Sequence, residues 1–396
     1  MRCRSLSWQQ GGVAVAGGVS TASQIIGILM MLFGGVIVDR SDRRALMYWR
    51  AVTGAVLWML LGILLVLGVA QLWHVIAIVI AVQFSFALLS NSDEAALRSI
   101  LTDNEEYARA RGINQGRDAV VSIAGGPLGG FLYGAAHWLP FIAASVLHAI
   151  YGLCAALIRT DLQPTEITRK STKRIGSIFE DIAVGLRFLV SSRVRLGIVL
   201  WIAFAQTAAN MLTFTTIYQL MGHGYSAAQV ALVEVSMAVG MIVASAAASI
   251  AVTRVPSGCL AILSTIGLLV AAVGATVWHS YGMLFVWFGI AGLTFPIGAL
   301  AVQGFLFAST PDNLQGRAQS SLTVVSSIFA VWAPLVASAL VVAGQTTMSY
   351  GLAAALFVLG LTAIFCAPAF RKLGTASEWS KAESAASRAA EESGEK

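Results

Sequence analysis

The chain alternates long apolar runs with short polar breaks as far as about residue 370. The runs lie near residues 18–38, 46–68, 74–94, 112–134, 138–158, 196–219, 228–252, 258–278, 282–307, 319–343 and 348–368. Each exceeds the roughly 17 residues that a helix needs to cross the hydrocarbon core of a bilayer. Several runs are apolar on every face, whereas the strands of a membrane barrel alternate over about ten residues. The pattern predicts an all-α polytopic membrane protein with about 11 transmembrane helices.

Composition narrows the class further. Hydrophobic residues make up 57% of the chain and charged residues 11%, whereas about a quarter of the residues in an average soluble protein are charged. The four cysteines have neither disulfide nor metal spacing. The sequence also lacks a Gly-x-x-x-x-Gly-Lys nucleotide loop, and no catalytic cluster is visible within the apolar runs. We therefore expect no metal, no cofactor and no enzymatic activity.

Basic residues are concentrated in alternate connectors between the apolar runs. The other connectors, near residues 71–74, 135–138, 219–227, 279–281 and 344–349, contain no lysine or arginine. Positively charged loops remain in the cytoplasm, which predicts a multi-pass protein of the plasma or inner membrane with a cytoplasmic C-terminus. The net charge of +6 then lies in loops that face anionic lipid, and no nucleic-acid partner is expected.

A long polar stretch at residues 159–195 divides the chain. It predicts an N-terminal helical bundle at 1–158, a cytoplasmic linker at 159–195, a C-terminal helical bundle at 196–370 and a disordered cytoplasmic tail at 371–396. Within the linker, apolar residues recur at the spacing of an interfacial amphipathic helix; they are Ile178, Ile182, Leu186 and Leu189. A weak repeat between residues 102–109 and 310–317 favours two related halves, although such Asp-Asn turns are common between helices.

The connector after the first apolar run carries the most specific pattern in the chain, Gly35-Val-Ile-Val-Asp39-Arg40-Ser41-Asp42-Arg43-Arg44. A loop whose charges only keep it on the cytoplasmic side, a topological anchor, needs the arginines but not the acid at position 39. The pattern resembles the Gly-x-x-x-Asp-Arg-x-Gly-Arg-Arg loop of the major facilitator superfamily, with an acid at position 42 where glycine is usual. The resemblance implies a twelve-helix transporter with two pseudo-repeat halves. It also implies a gating loop whose ion pairs form in one conformation and break in the other, made by Gly35, Asp39, Arg40, Arg43 and Arg44.

In that superfamily the loop follows the second helix, whereas here it follows the first apolar run. The comparison implies that family helix one is missing. Arg2 and Arg4 support a missing helix. Eleven spans and a cytoplasmic C-terminus would place both arginines on the outer side, where basic residues are disfavoured. The segment Met1 to Gly18 is expected to be too short and too glycine-rich for a further span. A start site placed too far downstream, a truncated gene and a working eleven-helix variant all remain open.

A second segment, Gly125-Gly126-Pro127-Leu128-Gly129-Gly130, resembles the signature helix of the family's antiporters. In that signature two residues separate Gly-Pro from Gly-Gly, whereas here only Leu128 does. The stretch at 311–317 and the amphipathic helix resemble the drug:proton antiporter branch, which contains macrolide efflux proteins and the enterobactin exporter.

Glu234 is the expected proton-coupling residue. It lies about seven residues into its apolar run, roughly 10 Å below the outer surface at 1.5 Å per residue. A charge at the centre of a membrane helix costs roughly 3 kcal/mol on insertion scales, so an acid there is a functional hypothesis by default. Loss of water favours the protonated form of a carboxyl group. A static hydrogen bond and a shallow, exposed position are the alternatives.

Uncharged polar residues on several runs predict the substrate cavity. Gln206, Asn210 and Thr213 share one face of a helix, and Thr294 and Gln303 flank Pro296, where a broken hydrogen-bond ladder would expose backbone groups. Gln83, Ser90 and Glu94 fall near one face of another helix. Asp93 and Glu94 are also close to Arg98, and an ion pair at the mouth is expected there.

These features predict a secondary transporter that exports a bulky amphipathic compound, such as a macrolide or a siderophore, by alternating access. We expect protons as the coupling ion, a small-molecule substrate, the lipid bilayer as surroundings and a monomer. The alternative is a truncated, non-transporting remnant of the same fold or a regulatory membrane scaffold.

Overall fold

The computed structural model describes residues 2–89, 93, 96–97, 100, 104–158, 175–371 and 373–375. Regular secondary structure in these residues is helical throughout. The helices are α1 (Arg2–Arg40), α2 (Arg43–Val66), α3 (Leu72–Leu89), α4 (Asn104–Ala135), α5 (Leu139–Leu157), α6 (Ile175–Val190), α7 (Arg193–Gly222), α8 (Ala227–Arg254), α9 (Ser257–Val277), α10 (Tyr281–Ala308), α11 (Asp312–Ala330), α12 (Ala333–Val342), α13 (Thr346–Cys366) and α14 (Pro368–Arg371).

Ten stretches of the described chain are helical, long and apolar enough to cross a membrane. They coincide with ten of the predicted spans, and the predicted span at 112–134 lies within α4, a helix of 32 residues. The all-α polytopic fold is therefore confirmed. The multi-pass character follows from length and apolarity, because a helix needs roughly 20 such residues to span a bilayer.

The first helix begins much earlier than the apolar pattern predicts. α1 runs for 39 residues from Arg2, and the stretch Gly12–Met30 within it is long and apolar enough to cross a membrane. The glycines before residue 18 therefore lie inside the first helix instead of preceding it. Packing provides a reason, because Val13 and Gly17 are buried, and packing outweighs the weak intrinsic helix propensity of glycine.

Prolines have two different effects on these helices. α4 continues through Pro127 and α10 continues through Pro296, so each loses one ladder bond without ending. The predicted span at 319–343 is instead divided into α11 and α12, with Pro334 in the first turn of α12. A proline costs least there, because the first turn of a helix has no partners for its N–H groups.

The described chain forms two compact units. The C-terminal unit takes in described residues of Met1–Gly17, Glu180–Tyr225 and Leu232–Lys396, and the N-terminal unit takes in those of Gly18–Phe179 and Ser226–Ala231. The boundaries thus fall inside α1, α6 and α8, whereas the sequence suggested whole helices on either side of the linker.

The N-terminal unit packs α2 against α5 through small residues. A Cβ on Gly62 would lie 2.7 Å from Ile142 Cγ1, and one on Gly152 would lie 2.8 Å from Ala51 Cβ. The Ser145 hydroxyl donates to the Ala55 carbonyl at 2.7 Å. Without a hydrophobic force between helices in lipid, such close approach is what stabilises their packing.

In the C-terminal unit, α6 packs against α11. Arg317 Nε is 2.8 Å from the Asp181 carboxylate, and the Ser321 hydroxyl lies 2.9 Å from the Ile182 carbonyl. Leu189 is fully buried in the core beside α7, whereas Leu186 is 37% exposed. The predicted amphipathic helix thus has Leu189 in the protein core and Leu186 on its outer surface. Ile178 lies outside the residues whose side chains are described.

The predicted tail also begins later than residue 371. Leu373 is buried in the same core, and its carbonyl and that of Gly374 accept bonds from the N–H groups of Gly258 and Ser257, at 3.5 and 3.1 Å. These carbonyls satisfy donors that the first turn of α9 would otherwise leave unpaired. Residues 376–396 lie outside the described chain.

Candidate functional site

The loop between α1 and α2 is held by helix caps. The Asp42 carboxylate accepts a bond from the Arg44 N–H at 2.9 Å and caps α2, which gives the unusual acid at this position a structural role. The Arg44 guanidinium donates to the Ala156 carbonyl at the end of α5, where a cation is favourable. The surroundings of Gly35, Asp39 and Arg40 are not among those that the structure describes. The ion-pair network predicted for the gating loop therefore lies outside the described residues.

A charged cluster that the sequence did not predict lies further along α2. Arg50 Nη1 is 2.8 Å from the Asp93 carboxylate, and the Tyr151 hydroxyl donates to the other oxygen of the same acid. The Arg50 guanidinium lies 4.0 Å from the centre of the Phe86 ring. Sequence reasoning favoured Arg98 as the local partner of this acidic pair and missed Arg50, 43 residues away. Ser90, Glu94 and Arg98 lie outside the described residues.

Gln83 is packed against α1. A Cβ on Gly27 would lie 2.9 Å from Gln83 Nε2, so this amide lies directly against the backbone of α1. The predicted cavity residue is therefore close to a neighbouring helix of its own unit.

The glycines of α4 divide into two groups. A Cβ on Gly130 would lie 2.4 Å from Ala231 Cβ, whereas Cβ atoms on Gly125 and Gly129 would have no neighbour within 4 Å. Pro127 is buried and Gly126 is exposed. Gly130 therefore allows close helix contact, while Gly125 and Gly129 leave open space.

α7 presents one buried face and one polar, accessible face. Trp201 and Ala208 are buried, and the Trp201 indole donates to the Thr265 hydroxyl at 2.8 Å. On the other face Gln206 is exposed, while Asn210 and Thr213 are partly exposed. None of these three side chains has a hydrogen-bond partner among the described residues. They remain available to a ligand.

The two candidates on α10 differ from each other. The Thr294 hydroxyl donates to the Ile290 carbonyl at 3.1 Å, and its methyl group would lie 2.3 Å from a Cβ on Gly267. Thr294 is therefore engaged with its own helix and with α9. Gln303 is exposed.

Glu234 lies on α8 in an apolar setting. Its side chain is partly buried, and its neighbours Ala231, Val233 and Ala238 are buried. Among the described residues it has neither an ion-pair partner nor a hydrogen-bond partner. A carboxyl group in this position has little to stabilise its charge.

Comparison of the sequence with known protein families identifies one match. The family model described as Major Facilitator Superfamily matches residues 6–276. The chain belongs to this superfamily. It is accordingly a secondary transporter of small molecules rather than an enzyme. It crosses the lipid bilayer several times.

A solved structure supports the fold of this transporter. The crystal structure of a mutant of the nucleoside transporter NupG matches with a TM-score of 0.62 and 10% sequence identity, over 90% of this chain and 91% of that chain. At this identity the similarity concerns the fold alone. No curated protein sequence matches the chain.

Proposed function

We propose that this transporter exports a bulky amphipathic small molecule, such as a macrolide or a siderophore, in exchange for protons. The observation that carries the proposal is the accessible face of α7, where Gln206, Asn210 and Thr213 have uncommitted polar groups. Uncharged donors on an apolar helix suit an amphipathic compound, because such a ligand needs few, well-placed hydrogen bonds.

Two arginines of the described chain are already neutralised by acids and are poorly suited to bind a polyanionic substrate. Arg50 is bound to Asp93 and Arg317 is bound to Asp181, each at 2.8 Å. A phosphate or dicarboxylate would have to displace a carboxylate from either arginine, at the cost of leaving an acid unpaired.

Glu234 is the proposed coupling residue. Its apolar neighbours and its lack of a described partner make protonation the simplest way to neutralise it. Proton entry from outside would then drive substrate exit by alternating access between the two helical bundles.

The loop at residues 35–44 is proposed as the gate. A gate would account for Asp39, which a topological anchor leaves unexplained, and bonds made by Asp42 and Arg44 fix the start of α2 and the end of α5. Replacing Asp39 by Asn is expected to shift the balance of inward-facing and outward-facing states, measured by spin-label distances in the reconstituted protein. An unchanged distribution together with unchanged transport would exclude the gate.

The substrate proposal is tested by accumulation of macrolides and siderophores in cells with and without the transporter, at two pH values. Expression is expected to lower the accumulation of at least one compound. Thr213→Val should weaken export of that compound several-fold, because it removes an uncommitted hydroxyl. Thr207→Val on the same helix is the matched control, since the Thr207 hydroxyl already donates to Ala203 at 2.7 Å. Equal loss in both variants would contradict a substrate-binding face on α7.

A further inference from the structure

A cavity lies at the end of the C-terminal unit where the connectors lack lysine and arginine. Its volume is about 410 Å³, within the range of roughly 300–1,000 Å³ that is typical of small-molecule sites. It lies between the end of α7 and the connector from α9 to α10, and its polar and aromatic walls are formed by Gln219, His223, Tyr225, Trp278, His279 and Tyr281.

The backbone fixes one wall of this cavity. α7 ends at Gly222, Gly224 follows it at φ +83°, and the Tyr225 N–H donates to the Leu220 carbonyl at 3.1 Å. This is the helix-ending motif in which glycine adopts the left-handed conformation at low cost. The turn places Tyr225 parallel to Tyr281, with ring centres 5.1 Å apart and an angle of 14° between the planes.

A buried hydrogen-bond network fixes the floor. Gln219 donates to the His279 carbonyl at 3.0 Å and accepts from the Tyr350 hydroxyl at 2.7 Å. Thr216 lies 2.9 Å from the same hydroxyl. These bonds hold the connector at His279 in a fixed position against α7 and α13.

Two imidazoles retain hydrogen-bonding capacity. His223 Nδ1 donates to the Gln219 carbonyl at 2.7 Å, which leaves Nε2 as an acceptor in the neutral ring. His279 Nδ1 is buried and has no partner among the described residues. Buried polar groups are normally paired, so this nitrogen is an unsatisfied group next to the cavity, whereas His223 Nε2 is the acceptor that a ligand can use.

The lining contains no acid, lysine or arginine. A multivalent cation would find no carboxylate, and a phosphate would find no guanidinium or ammonium group. Aromatic faces instead favour flat rings, and they attract a single positive charge by cation–π interaction.

We propose that this cavity is a binding site for a planar aromatic amine that is neutral or carries one positive charge. Stacking on the aromatic wall would hold the ring, and His223 Nε2 would accept a bond from the amine. The site is separate from the accessible face of α7, and the inference does not depend on the proposed export activity, because it concerns binding without a gradient.

Proflavine, an acridine with one positive charge at neutral pH, is a suitable probe. Its binding to the full-length transporter in nanodiscs is measured by fluorescence anisotropy, without a proton gradient, and compared with that of acridine-9-carboxylate. Wild-type protein is expected to bind proflavine and to bind the anion at least tenfold more weakly. Trp278→Ala and Tyr225→Ala should each weaken proflavine binding at least about fivefold, the loss of roughly one cation–π contact.

Matched controls separate this site from non-specific binding to exposed aromatics. Trp278 is 64% exposed and Trp73, in another connector without basic residues, is 61% exposed. Trp73→Ala should therefore leave binding unchanged, and Thr213→Val tests whether the probe binds at α7 instead. Because Trp278 and Tyr225 are both exposed, folded protein is expected from both variants, checked by thermal melting. The proposal is overturned by absence of binding, by equal affinity for the anion, or by equal binding in the wild type and both pocket variants.

Discussion

Gly130 and Gly129 are neighbours with opposite surroundings. A Cβ on Gly130 would lie 2.4 Å from Ala231 Cβ, whereas one on Gly129 would meet nothing within 4 Å. Gly130→Ala is expected to lower stability by about 1–3 kcal/mol, because crowding forces packed helices to shift. Gly129→Ala is expected to be neutral or slightly stabilising, since alanine favours helix over glycine. Thermal melting of both variants in the same detergent checks this, and equal melting temperatures would contradict the close contact.

The Arg50–Asp93 pair gives a second prediction at the residue scale. The Arg50 side chain is 14% exposed and that of Asp93 is 39% exposed. Asp93→Asn leaves a mostly buried guanidinium without its counter-charge and weakens the bond from Tyr151. We expect a loss of about 1–3 kcal/mol in the free energy of unfolding, measured by equilibrium unfolding in detergent.

A double-mutant cycle isolates that interaction. Arg50→Met removes the positive charge while keeping an apolar stem beside Phe86, so Asp93→Asn should cost much less in this background. Additive losses in the double variant would show that the ion pair contributes nothing of its own.

Local spacing can group residues of α7 on one face, but it cannot reveal the Arg50–Asp93 pair, for a physical reason. Gln206, Asn210 and Thr213 lie on one helix, where a spacing of three or four residues fixes a common face. Arg50 and Asp93 meet only through tertiary packing, and nothing in local spacing reveals such a partner. Thr294 shows the same limit, because its hydroxyl bonds to its own helix.

At the scale of elements, the docking of α6 on α11 depends on one close approach. A Cβ on Gly185 would lie 2.3 Å from the Arg317 carbonyl oxygen, while one on Gly316 would meet nothing within 4 Å. Gly185→Ala is therefore expected to displace α6 and strain the Asp181–Arg317 ion pair. Trypsin should then cleave at Arg187 several-fold faster than in wild type.

Gly316→Ala is the matched control, because it changes the residue next to Arg317 without a clash. It should leave the cleavage rate unchanged. Equal rates in the wild type and Gly185→Ala would mean that the helix is not held by this contact.

Element positions were largely predictable, because the length of an apolar run is a local property that the bilayer itself dictates. The boundaries of the helices were less predictable. The early start of α1 depends on packing, and the division between α11 and α12 occurs next to Pro334. The apolar pattern alone shows neither. The burial of Leu373 depends likewise on contacts with residues far away in the chain.

At the scale of the whole molecule, the distribution of arginine and lysine predicts a cytoplasmic C-terminus. Fusing green fluorescent protein to the C-terminus should give fluorescent cells, and fusing alkaline phosphatase there should give no phosphatase activity. Active phosphatase at the C-terminus would show that the orientation is opposite to the predicted one, with the cavity of Tyr225 and Tyr281 on the cytoplasmic side.

Membership of the superfamily and the transport fold are shown, whereas the coupling ion is a proposal that depends on Glu234. The central claim is therefore that protonation of this carboxyl group links substrate movement to the proton gradient. Glu234→Gln mimics the protonated form permanently, and Glu106→Gln, at an exposed position on α4, is the matched control.

The most direct measurement uses proteoliposomes with a substrate identified in the accumulation assay. Transport driven by an imposed pH gradient and exchange of substrate without a gradient are measured in parallel. We predict that Glu234→Gln loses gradient-driven transport but retains exchange, while Glu106→Gln keeps both. Gradient-driven transport at the wild-type rate in Glu234→Gln would contradict the account.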